Sequence, residues 1–160
     1  MSRGRVIYLR LLVVLIASGA PAGLSVCSAQ NEMSYMLLEG STITEDCTIC
    51  GRPPIIAPLR GTFQLALREI NPLFTIYDVQ EVRFKSQGGI CPYVVTGQGT
   101  YQIGGEVVLE QRMHLNVRIN EAPDVELESG ELPEGRVWPM IEVYLSQEPV
   151  DPLRVFSVHL

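Results

Sequence analysis

Histidine is scarce in this chain. Its 160 residues carry two, His114 and His159, alongside a single tryptophan, Trp138. A histidine-assisted nucleophile therefore has little to draw on, and neither imidazole sits near a Gly-x-Ser-x-Gly turn. Clustered cations are missing too. Beyond the N-terminal segment only Arg83 and Lys85 fall close together, whereas tracking a phosphate backbone takes several Lys and Arg on one face. No glycine loop suits a bound phosphate, because Gly97-x-Gly99 lies inside an extended run and opens no helix. Sustained helical periodicity, internal repeats and low-complexity tracts are likewise absent. Nucleic acid is excluded as an expected partner.

What is present starts with the N-terminus. Arg3, Arg5 and Arg10 precede the apolar run Leu11 to Ala17, which exits into Ser18-Gly-Ala-Pro-Ala22. A basic start, a short apolar stretch and small residues make the pattern of a secretory signal. Residues 1–29 are accordingly expected to be a signal peptide and 30–160 a single domain, secreted or periplasmic. An uncleaved anchor would need the run stretched from Val6 to Val26, with Arg10 inside it, since a spanning helix takes about 20 apolar residues. Cys27 offers lipidation as a further alternative, but Val26 before it is larger than a lipobox wants. Membrane attachment is expected only through one of those two routes. The segment carries three arginines and no acid, so its loss takes the formal charge from −6 to −9, which disfavours anionic lipid.

The mature residues are enough for one buried core. Pro and Gly punctuate the chain at short intervals, and the apolar runs between them alternate at period two, as in all-β proteins. An antiparallel β-sandwich of about eight strands is the expected fold, with a small closed barrel as the alternative. Strands are expected at Ser34 to Glu39, Ser41 to Glu45, Gly61 to Ile70, Thr75 to Lys85, Tyr93 to Gln102, Glu106 to Ile119, Met140 to Gln147 and Leu153 to His159, with a short one at Val125 to Leu127. The apolar positions change parity between Val79 and Val82, which predicts a bulge. Pro53, Pro54 and Pro58 predict an edge or loop at Gly51 to Leu59.

Alternation also proposes a hairpin. A three-residue loop Ile103-Gly104-Gly105 would pair Tyr101 with Val107 and Val95 with Met113. Gly97 and Gly99 would then lie on the buried face opposite Gln111 and Leu109, leaving a hollow that Trp138 fills or a small ligand occupies. Gln111 is the one polar residue in an apolar row and needs a partner if buried.

Cys47-Thr-Ile-Cys50 is the most pointed local feature. The spacing matches half of a zinc knuckle, yet a structural zinc site wants four ligands and only Cys91, His114 and His159 remain to complete one. A redox pair would want a helix N-terminus after Cys50, and Pro53-Pro54 leads into an extended run instead. An exported chain favours a structural disulfide among Cys47, Cys50 and Cys91, and no cofactor is expected. Glu106 and Glu110 would share a solvated strand face. The acids from Glu121 to Glu134 lack the spaced ligand loop of a calcium site. Trp138 and Tyr144, if exposed together, could stack on a sugar or peptide. The function these features support is a non-enzymatic binding or surface-interaction module for a protein, glycan or small ligand. A thiol-redox or metal protein at Cys47 and Cys50, and a small-ligand carrier over Gly97 and Gly99, are the alternatives.

Overall fold

Period-two alternation leaves a chain little choice but to pair strands and bury one face. A computed structural model describes residues 32–88, 92–133, 138–148 and 153–160. The strands are β1 (Glu32–Met36), β2 (Thr42–Asp46), β3 (Ile55–Ile70), β4 (Phe74–Ser86), β5 (Val94–Gly104), β6 (Glu110–Ile119), β7 (Val125–Glu128), β8 (Leu132–Pro133), β9 (Tyr144–Gln147) and β10 (Val155–His159). Every pairing is antiparallel, in the order β3-β2-β10-β9-β7-β6-β5-β4, and β4 returns to β3 to close the circuit. Of the two all-β arrangements expected, the eight-stranded barrel is the one formed. Closure removes the sheet edges that a sandwich would expose.

Local chemistry sets the bends. The Asn71 side chain accepts hydrogen bonds from the Leu73 and Phe74 amides at 3.1 and 2.8 Å, turning β3 into β4. The register of β4 against β5 slips between Val79 and Val82, with Glu81 at φ 50°, where the parity change predicted a bulge. Inside the barrel Tyr93, Tyr101, Phe84, Leu65, Leu115 and Leu145 are fully buried.

Several expectations are corrected. Strand β3 begins at Ile55, so Pro58 lies within it. The Leu59 amide donates to Ser41, which turns the Pro58 nitrogen toward β4, just past the last residue of that strand. Proline's missing donor is thus tolerated there. The β5–β6 hairpin pairs Tyr101 with Met113 and Val95 with Ile119. Residues 105–109 form the loop, Val107 is 92% exposed, and Glu106 no longer shares a strand with Glu110. The Gly105 amide donates to Leu73, extending β5 alongside β4 and delaying the turn. Strand β9 begins at Tyr144, and residues 140–142 approach it as non-strand backbone. Cys91, Pro149, Pro152 and the expected signal segment lie outside the described residues.

Strands β1 and β2 lie end to end along one side of β3. The first pairs with Thr62–Ala66 and the second with Ile55–Pro58. Strand β10 covers the far side of β2 and stops level with it, His159 facing Thr42. The far side of β1 carries no strand among the described residues. The wall has a gap there.

Candidate functional site

The gap is a cleft of about 370 Å³. One wall is β1 with the loop after it, and the other is the stretch 139–142. Leu160 lies at its foot in line with β10, and Phe63 backs it. Tyr35 reaches inward from β1 and stacks on Phe63 at 5.0 Å between ring centroids. The lips are apolar and wet: Met36 is 71%, Leu38 60% and Met140 49% exposed. Apolar side chains left open around one concavity are the usual mark of a surface that something covers.

Besides Tyr35, the ionisable side chains among the described residues that line the cleft are Glu39, Glu142 and His159, and Glu32 starts β1. The Tyr35 hydroxyl is buried without a hydrogen-bond partner among the described residues. Burial pushes its phenol above the ordinary tyrosine range, and the neighbouring Tyr77 adds to the rise. Tyr77 is raised by burial as well.

Gln111 anchors the second wall. It is 2% exposed and donates through Nε2 to the Glu142 carbonyl at 2.7 Å and the Pro133 carbonyl at 3.4 Å. Its Oε1 accepts from the Tyr101 hydroxyl at 3.2 Å. The partner that alternation demanded is therefore mostly main chain.

The other expected site residues are dispersed. Gly97 and Gly99 do face the interior, but opposite Val117 and Leu115. A Cβ on either would overlap the Asn116 or His114 carbonyl oxygen, so the backbone of β6 occupies the expected hollow. Trp138 stacks on Tyr77 and Tyr101, with centroids 5.5 and 6.2 Å away, and is only half-buried. It caps that part of the core. Tyr144 is exposed on the outer face of β9, opposite His159, so the two aromatics do not form one platform.

Cys47 and Cys50 are joined as a disulfide, their Cα atoms 5.4 Å apart. Cys47 is buried, and its amide donates to Asp46 Oδ1 at 2.7 Å. The chain after Cys50 leads to β3 and not to a helix. Nearby Glu45 accepts from the Tyr93 hydroxyl at 3.0 Å and pairs with Arg154 at 3.0 Å and Arg52 at 3.3 Å. Each partner of this carboxylate lies just outside a strand, so the contacts tie β2 to the segments that lead into β3, β5 and β10. No group of three or more His, Cys, Asp or Glu that could hold a metal occurs among the described residues.

The cleft was not foreseen. Met36, Leu38, Met140 and Ile141 are visible in the sequence as apolar residues, but they are about a hundred positions apart and nothing local joins them. No family model, curated protein or solved structure matches this chain.

Proposed function

We propose that this chain is an exported, non-enzymatic binding module whose ligand site is the cleft between β1 and residues 139–142. The observation that carries this is the open, apolar concavity in an otherwise closed barrel, rimmed by Met36, Leu38 and Met140. Its lining holds no paired acid and base and no activated nucleophile among the described residues, so its chemistry suits retention of a ligand more than its conversion. The basic and apolar N-terminus supports export, and the disulfide suits an oxidising compartment.

An environment-sensitive naphthalene dye tests the site. Leu38→Asp and Met140→Asp are each expected to weaken dye binding about tenfold or more, since a carboxylate in an apolar cleft is costly to desolvate. Val107→Asp, on the exposed β5–β6 loop, should leave it unchanged. Equal binding by all three variants would move the site elsewhere.

A further inference from the structure

We propose that the outer wall of the barrel across β3, β4, β5 and β6 carries a second binding site, which takes an acidic polysaccharide. It is separate from the cleft and does not depend on it.

Strand pairing gathers cations there that the sequence scatters. Arg60 on β3 stands directly opposite Lys85 on β4. Two residues along, Arg83 on β4 and Arg118 on β6 both stand opposite Thr96 of β5. All four residues are exposed. With neighbouring strands about 4.8 Å apart, the group spans about 14 Å of wall. Like charges directly opposed weaken a ladder, and Arg60 against Lys85 is such a pair, in a chain whose formal charge is −6. Arg60 donates through Nε to Gln87 at 2.7 Å, and Lys85 has no ion-pair partner among the described residues. A local penalty that its surroundings do not offset is expected at functional sites.

The neighbouring acids leave these cations open to a competing anion. Glu81 pairs with Arg83 at 3.2 Å and Asp124 with Arg118 at 2.9 Å, and each of these side chains is more than half exposed. Pairs so exposed hold weakly. Glu126, opposite Asn116, bounds the group on the β7 side.

Shape selects the ligand. One phosphate or sulfate is too small to engage cations spread over this width, so the anion must repeat along a chain. Beside Arg118 lies a shallow groove of about 360 Å³, lined by Thr96, Gln98, Asn116 and Asp124. Its amides and hydroxyl suit the hydroxyl groups of a sugar. The exposed positions around the four cations include no aromatic residue, so nucleic-acid bases would have nothing to stack on. A duplex or a planar anionic membrane would also press against the surrounding acids, whereas a single thin chain need not.

Fluorescein-labelled polygalacturonate and dextran sulfate, added to the full chain at low salt, test this by anisotropy. Both should bind, less tightly as salt is raised, and neutral dextran should not. R60Q/K85Q and R83Q/R118Q are each expected to weaken binding about tenfold or more. R68Q/R112Q removes equal charge from the far ends of β3 and β6 and should leave binding unchanged. R60Q/K85Q should also unfold at no lower urea concentration than the parent, because the opposed charges are gone, and should bind the cleft dye normally. Binding of one polymer alone would name carboxylate or sulfate as the recognised group. Equal weakening by R68Q/R112Q would mark a diffuse charge effect and overturn the proposal. Tighter binding of a single-stranded oligonucleotide of equal charge, or no binding of either polysaccharide, would overturn it as well.

Discussion

The side-chain amide of Gln111 joins three parts of the wall that the chain itself keeps far apart. Its burial and its need for partners are legible from its place in an apolar row. The partner Glu142, thirty-one residues on, is not, because only the closed barrel brings it near. Gln111→Leu should cost about 1–3 kcal/mol in urea unfolding, by stripping the Glu142 carbonyl of its donor. The half-buried phenols make a second prediction. Tyr35 and Tyr77 have raised pKa values in the folded state, so they favour the fold while protonated. Their contribution is complete below the unfolded tyrosine pKa of about 10 and is lost as pH rises through the folded values. A Y35F/Y77F double variant should therefore lose less stability between neutral and strongly alkaline pH than the parent, measured by denaturant titration at each pH.

At the scale of elements, the β5–β6 hairpin shows what alternation can and cannot decide. Moving Tyr101 from Val107 to Met113 shifts the pairing by an even number of residues, so every side chain keeps its face. Parity was readable and register was not. The bulge between Val79 and Val82 was readable because it breaks parity. The exposed Val107 and Leu109 misled for the opposite reason: they keep parity and continue an alternating row into a loop. The two inward glycines of β5 carry the physical cost of this geometry. Gly99→Ala would push a methyl group into the His114 carbonyl and should destabilise by about 1–3 kcal/mol. Leu115→Ala, opposite Gly99, opens a cavity and should cost about 2–5 kcal/mol. Chemical denaturation separates both from the parent.

For the whole molecule, all-β class was legible and closure was not. A strand with one apolar face satisfies a sandwich or a barrel equally, and the choice turns on which distant strands meet. Here β3 meets β4 along its length, and β7 meets β9 through two residue pairs. The disulfide plays little part in that choice, because it closes a loop of only four residues. A C47S/C50S double variant should lose about 2 kcal/mol on chain-entropy grounds and keep its ligand affinity. A loss of binding or activity that tracked the thiol state would restore the redox alternative.

Trp138 is the chain's sole tryptophan, and it stands at a junction. It is covalently next to Pro139, which lines the cleft, and its ring lies against Tyr101. Tyr101 in turn holds Gln111, which holds the Glu142 backbone in the far wall. The barrel thus contains its own optical gauge. Anything that seats in the gap and draws residues 139–142 inward should alter the emission of one indole, without any label being attached.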